Sequence, residues 1–273
     1  MKFTLNTLGC PSWTLEQAAS NARAYGYQGV DIRLIDGEVA SPALVRASQE
    51  RILRLFSPEG LPVPVLATSV QFSSADESVR ARNEAELREF IALAAALRIP
   101  ALRVYGGQLP AGVSLAQAVE WVAEHLNRVA PVAEDAGVTL GIETHDEFSA
   151  AATVADVLQR VPSRAVGAVW DMLHTYKMGE SPADVWRFVG ERVINVHLKD
   201  ARRNPQARTG WDLVLLGEGE VPVRDGLRLL REQGYAAFVS VEWEKKWHPH
   251  IPEPEIAFPQ HLAVLHDWLR GAA

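Results

Sequence analysis

The sequence predicts an α/β chain folded as a single-domain (β/α)8 TIM barrel, and three observations carry that expectation. Apolar strand-like runs alternate with helical segments through the chain, with a period of roughly 30 residues, as eight βα units closing a barrel require. Four later runs deliver a carboxylate or imidazole at one end: Val138 to Ile142 before Glu143, Val166 to Trp170 before Asp171, Val193 to Leu198 with His197, and Phe238 to Val241 before Glu242. The length of 273 residues is close to the ~250 typical of this barrel, and no linker-like composition divides it, so residues 1–273 are expected to form one domain. The competing architecture, a doubly wound open sheet, usually announces itself with a glycine-rich turn after an early strand. Gly9-Cys10-Pro11-Ser12 is no such turn.

The elements follow from local signals. Phe3 to Gly9 is the first strand, stopped where Pro11 forbids a continued ladder. Thr14 caps a helix whose Leu15, Ala18, Ala19, Ala22 and Tyr25 recur at helical spacing until Gly26. Gly29 to Leu34 is strand two. Ser41-Pro42 opens a second helix with Leu44, Val45, Ile52, Leu53 and Phe56 as its buried stripe. Leu61 to Ser69 is strand three, with Pro62 and Pro64 at the sheet's entry. Asp76 to Arg98 is a long helix whose alanine- and leucine-rich second half, Phe90 to Leu97, needs tertiary cover. Ala101 to Tyr105 is strand four. Ser114 to Ala136 is a helix with Leu115, Val119, Val122, Leu126 and Val129 on one face. Strand five leads to Glu143, and the short helix Thr153 to Val161 precedes the strand to Asp171. Ser181-Pro182 caps the helix Ala183 to Val189, which leads into the strand carrying His197. A long connection, Ala201 to Glu220, reaches the helix Val223 to Gln233 and the strand to Glu242; Pro254 to Gly271 is the last helix.

Composition narrows the function classes. Hydrophobic residues make up 48%, enough for a sizeable core. The net charge of -7 repels phosphodiester backbones unless a local basic patch overrides it, so nucleic acid is not an expected partner. Cys10, the single cysteine, cannot form an internal disulfide, which fits a reducing compartment. With no neighbouring base or CxxC motif, its sulfur is expected to be packed. The amino terminus lacks the apolar core of a signal peptide and no stretch approaches the ~20 apolar residues of a membrane span. The expectation is a cytoplasmic protein with no membrane association.

In a barrel the carboxyl ends of all strands share one face, where active sites sit. Glu143, Asp171, His197 and Glu242 would line one side of that mouth. Three carboxylates converging without a cation repel and raise each other's pKa values, and a divalent metal removes that cost. Three oxygens and one nitrogen with no thiolate suit Mn²⁺ first, then Mg²⁺ or Co²⁺, better than a structural zinc site, with Zn²⁺ left open. For any one acidic residue alone, a helix cap or an ion pair with a nearby arginine is the alternative. Lys199 would face the substrate, while His145 either projects toward it or bonds the loop Asp146-Glu147. Asp200 reads as a carboxylate that either orients a metal ligand or fixes a loop, rather than as a ligand itself. Arg33 and Arg103 either neutralise barrel carboxylates or touch substrate. Trp13, Trp211 and Trp247 fall in mouth loops, where an indole can cover a ligand face, although a chain with eight tryptophans places some there by coincidence. Gly217-Glu218-Gly219 reads as a turn or a phosphate cradle. The segment Trp247 to Pro252 is either mouth rim or a homo-oligomer contact.

Glu143, the Asp171-Met172-Leu173-His174 spacing, His197-Leu198-Lys199-Asp200 with Arg203 beyond it, and Val239-Ser240-Val241-Glu242 resemble the sugar phosphate isomerase/epimerase family. These are the xylose-isomerase-like TIM barrels that include the ketose 3-epimerases. The resemblance covers essentially the whole chain, and the four-ligand order with the DxxH spacing is its specific part. It implies one divalent metal held by Glu143, Asp171, His197 and Glu242. It also implies that Glu143 and Glu242 are catalytic, acting on the substrate carbon from opposite faces, and that His174 and Arg203 hold substrate oxygens.

The mechanism this implies follows from charge. A small-molecule ketose bound through its carbonyl and an adjacent hydroxyl has an acidified C–H between them, because the metal stabilises the enediolate formed on deprotonation. One glutamate removes the proton, the other returns one to the opposite face, and His174 and Lys199 donate hydrogen bonds to the oxyanion. The same enediolate can expel a β-substituent, so a lyase or dehydratase on an oxidised sugar or glycoside is the alternative. An AP-endonuclease-like DNA repair enzyme would need extra histidines after strands three and four, where Thr68-Ser69 and Tyr105-Gly106 stand. A non-catalytic sugar-binding barrel would need no reaction from Glu143 or Glu242.

Overall fold

Parallel pairing runs through eight strands in a computed structural model that describes residues 1–270. They are β1 (Lys2–Asn6), β2 (Gly29–Asp31), β3 (Val65–Gln71), β4 (Ala101–Tyr105), β5 (Thr139–Glu143), β6 (Val166–Asp171), β7 (Val193–Leu198) and β8 (Phe238–Val241). Each pairs with its successor from β3 to β8, and β8 pairs with β1, which pairs with β2. Between β2 and β3 the ring is closed by Val30 N–H to Pro62 O at 3.0 Å, Ile32 N–H to Val65 O at 3.0 Å and Ala67 N–H to Ile32 O at 2.8 Å. The expected barrel is therefore present as one α/β domain, and all eight carboxyl ends open on one face.

Caps place the helices that cover the ring. Thr14 and Gln17 form a reciprocal capping box at the helix Leu15–Tyr25, and Gly26 ends it with φ of 94°. Ser181 and Asp184 do the same for Pro182–Val189. Phe90, Ile91, Leu93, Ala94 and Leu97 in the helix Glu77–Leu97 are buried, which supplies the cover this stretch needs. Among the described residues no helix is long and apolar enough to cross a membrane.

Strand one ends at Asn6, with Thr7–Gly9 as a 3-10 turn, strand three starts only at Val65, and other details also differ from the sequence reading. Strand two shortens, because Leu34–Ile35 leaves the barrel to pair with Glu38–Val39 in a small hairpin. The second helix divides at Ser48 into Pro42–Ala47 and Gln49–Leu55, so its single stripe breaks and Leu53 is exposed. Leu115 is the first residue of its helix, ahead of the packed turns, and is also exposed. The long connection after β7 contains an antiparallel hairpin, Asp200–Arg203 with Trp211–Val214. The last helix runs to Arg270, and its expected stop at Gly271 lies outside the described residues.

Candidate metal centre and active site

Strand register assembles the site. Tyr105 pairs with Glu143, Asp171 with His197, and the Glu242 amide donates to Leu198 O at 3.0 Å, bringing the ends of β4 to β8 level. Ligand atoms of Glu143, Asp171, His197 and Glu242 all lie within 4.8 Å of one another, and all four residues are buried.

Positive groups interleave with these carboxylates. Arg103 Nε lies 3.0 Å from Glu143 Oε2, and His197 Nδ1 lies 2.8 Å from Glu143 Oε1 and 3.2 Å from Glu242 Oε1. Lys199 Nζ sits 2.6 Å from Asp171 Oδ2 and 2.7 Å from Glu244 Oε1, and it also contacts Glu242 Oε2. Burial alone would raise Glu143, but His197 and Arg103 outweigh it and hold the carboxyl at about 2. Burial opposes ionisation of Glu242 too, yet His197 and Lys199 keep it far below the usual carboxylate range. The reciprocal effect overcomes burial at His197, raised by Glu242 and Glu143, and at Lys199, raised by Asp171, Glu242 and Glu244.

The helix-cap and arginine alternatives are each realised, but for one oxygen only. Asp171 Oδ1 accepts the His174 amide at 2.9 Å and caps the helix Met172–Lys177, while Oδ2 turns to the cluster. Glu143 gives Oε2 to Arg103 and Oε1 to the cluster side. These contacts orient the carboxylates. Glu143 Oε2 and Asp171 Oδ2, despite their ion pairs, have no hydrogen-bond partner of good geometry among the described residues. Buried anionic oxygens without directional donors, beside one imidazole nitrogen, fit a divalent cation, and this is a divalent-metal site.

One wall of the mouth is aromatic. The rings of His145 and His174 are 4.3 Å apart, Tyr105 is 4.8 Å from His145, and the Arg103 guanidinium stacks 3.9 Å over Tyr105. Burial pushes His174 down to about 4, so its imidazole is neutral at pH 7. Burial also disfavours charge on His145, but Asp146 at 3.2 Å pulls it upward.

Two expected substrate contacts are not brought to the cluster. Trp13 is buried against Tyr25 and Phe258, and its Nε1 donates to Glu255 Oε1 at 2.8 Å. Arg203 is exposed on the hairpin after β7, where its guanidinium lies 5.2 Å from the Trp211 ring. Trp211 and the exposed Trp247, with Arg208, His248 and His250, line a cavity of about 540 Å³ outside the cluster. Cys10 is packed, with its thiol 3.5 Å from Thr7 O and pushed up by burial.

Asp200 fixes a loop. Its carboxylate accepts the amides of Ala201 at 2.9 Å, Gly217 at 2.9 Å, Gly219 at 3.0 Å and Val221 at 3.2 Å. The glycine-rich segment is thus a cradle already filled by Asp200. A Cβ on Gly219 would stand 2.1 Å from Asp200 Oδ1, so only glycine admits the carboxylate. Glu244 and Tyr105 were absent from the sequence-derived site. Glu244 follows Glu242 by two positions, and that spacing is its only sequence signal.

The comparisons agree with this architecture. An inosose isomerase of Bacillus licheniformis is 29% identical over 127 residues, which is 44% of this chain and 45% of that enzyme. The matched segment thus spans about half the length of that relative. The crystal structure of IOLI protein with a bound zinc atom superposes with a TM-score of 0.84 at 18% identity, covering 100% of this chain and 99% of the other. L-ribulose 3-epimerase superposes at 0.79 with 20% identity, covering 99% and 95%. At these identities the superpositions establish a shared fold. Residues 19–268 match the family described as xylose isomerase-like TIM barrel, and to that family the chain belongs.

Proposed function

We propose that this metal-dependent enzyme is a sugar isomerase or epimerase that moves a proton at the carbon next to a carbonyl. The observation that carries this reading is the pair Glu143 and Glu242, ionised, buried, and delivered to one cluster by two different strands. Glu143, Asp171, His197 and Glu242 would hold the metal, with Mn²⁺ as the first candidate for three oxygens and one nitrogen. When bound, the cation supplies Lewis-acid polarisation of the substrate carbonyl.

The chain's own residues supply the rest. Glu143 is held by Arg103 at 3.0 Å and Glu242 by Lys199, so each carboxylate is ionised and can accept a proton. Glu143 ends β5 and Glu242 stands just past β8, so two different strands deliver these carboxylates to the cluster. One removes a proton at its Oε atoms and the other returns one to the opposite face. His174, kept neutral by burial, and Lys199, kept charged by its carboxylates, donate hydrogen bonds to the oxygen where negative charge develops. His145 and Tyr105 continue the wall beside them. The inosose isomerase relative and the epimerase superposition support a sugar ketone as the substrate.

The test is incubation with Mn²⁺ and a panel of ketoses and inososes in D₂O. The expected result is solvent deuterium at the carbon beside the carbonyl together with the epimeric or isomeric product, lost in Glu143→Gln and in Glu242→Gln. Release of water or an aglycone would move the assignment to a lyase. No exchange with any member of the panel would overturn proton abstraction.

A further inference from the structure

We propose that the substrate carries a permanent carboxylate and that Arg33 binds it, an inference that rests on the sugar-ketone reading above and narrows its substrate class to acidic keto sugars. Arg33 lies just past β2 at the mouth and is only 6% exposed. Its guanidinium makes one hydrogen bond, Nη1 to Ala67 O at 3.3 Å, and no ion pair among the described residues. Its Nε and Nη2 are not among the fully buried unpartnered nitrogens, so they open onto the mouth with no chain anion on them, where a ligand anion can pair with the fork.

The other cations beside it are engaged. Arg103 is on Glu143, and Lys199 is on Asp171, Glu242 and Glu244. Arg33 Nη1 reaches Ala67 O on β3, Ala67 is the register partner of Arg103 on β4, and Arg103 holds Glu143, so Arg33 lies one strand beyond the cluster's own arginine. Burial and the neighbouring Arg103 both disfavour its charge. A divalent cation drawing on the same carboxylates leaves Arg33 still less compensated, so the loaded mouth favours an anion.

The site is also built to hold its shape. The amides of Arg33 and Leu34 both donate to Thr7 Oγ1, at 2.9 and 2.7 Å, and Ala40 N–H donates to Arg33 O at 3.0 Å. A fixed backbone presents the guanidinium fork in one place, which is the preorganisation that anion recognition needs. One planar guanidinium fork, with no second cation free beside it, matches a planar monoanionic carboxylate better than a phosphate dianion.

The test compares D-gluconate with D-glucitol, which differ in a carboxylate against a CH₂OH, by calorimetry with the wild type and Arg33→Met, with and without Mn²⁺. D-Glucitol 6-phosphate forms a third arm. The substitution should weaken gluconate by about tenfold or more and glucitol by less than about twofold, and should leave Mn²⁺ affinity unchanged. Gluconate affinity unchanged in Arg33→Met, or a lowered Tm with no change in gluconate affinity, would overturn the proposal and leave Arg33 a structural residue. Tighter, Arg33-dependent binding of the phosphate than of gluconate would overturn the carboxylate assignment. If the wild type binds no Mn²⁺, the metal-dependent reading fails by itself, and the Arg33 dependence measured without metal still decides this inference.

Discussion

Lys199 Nζ stands 2.6 Å from Asp171 Oδ2, so an ammonium from the chain lies against a carboxylate of the metal cluster. With Glu242 and Glu244 on the same nitrogen, Lys199 is the internal counter-charge that lets buried carboxylates converge when no metal is bound. Lys199→Met should therefore destabilise the chelated protein by about 3–5 kcal/mol, the cost of leaving buried charges uncompensated. Mn²⁺ at ~100 times its Kd returns about 2.7 kcal/mol to any form that binds it only when folded. Without the competing ammonium the carboxylates should hold Mn²⁺ more tightly, so at one fixed Mn²⁺ concentration the variant should show a larger rise in Tm than the wild type, read by thermal melts with EDTA and with Mn²⁺. Equal losses under both conditions would mean that Lys199 does not offset the cluster's charge.

His197 offers the cluster its one nitrogen, with Nδ1 facing Glu143 and Glu242. Removing a group that only orients a ligand typically costs 10–100-fold in metal affinity, so removing a ligand should cost more. His197→Ala should weaken Mn²⁺ binding by more than about 100-fold while circular dichroism still reports a folded barrel. Full metal occupancy in that variant, measured by elemental analysis after dialysis, would remove His197 from the ligand set.

The four cluster residues were legible because each ends a strand, and strand ends in a parallel barrel meet by geometry alone. Glu244 was not, since its place depends on the chain beyond β8 turning back until the side chain reaches Lys199. Trp13 looked like a mouth residue from its neighbourhood in sequence. Its burial is decided by Glu255 and Phe258, on a helix at the far end of the chain. Arg203 follows the HxK segment closely, yet the hairpin pairing it with Trp211 carries it outward, and nothing local signals that pairing. For Asp200 the sequence left ligand-orienting and loop-fixing roles open; the amides of the glycine-rich turn downstream decide for the loop.

That loop yields its own test. Asp200→Ala would strand four amides, of which those of Ala201 and Val221 belong to buried residues. Unsatisfied buried donors cost about 1–3 kcal/mol each, with some regained from water at the glycines, so a loss of about 3 kcal/mol or more is expected. Hydrogen exchange at Gly217, Gly219 and Val221 should accelerate. Unchanged protection at these amides would show that the loop holds itself without the carboxylate.

Acid sensitivity should come in part from His261, which is buried with its ring 5.1 Å from Trp243 and its Nδ1 without a hydrogen-bond partner among the described residues. Burial pushes its pKa down from 6.5 to about 3. Between those values the unfolded chain carries a proton that the folded chain does not. Stability therefore falls as the pH drops from 6.5 toward 3, by up to about 1.4 kcal/mol per pH unit. Above 6.5 both states are neutral and the group contributes no slope. His174, pushed down to about 4, adds a loss of the same sign. His261→Leu should be within about 1.5 kcal/mol of wild type at pH 7, as roughly volume-conserving apolar replacements are. It should lose distinctly less stability than wild type between pH 7 and pH 4 in urea melts, with the remaining slope supplied by His174 and the carboxylates. An identical acid loss in the two proteins would show that the folded state protonates His261 as readily as the unfolded chain.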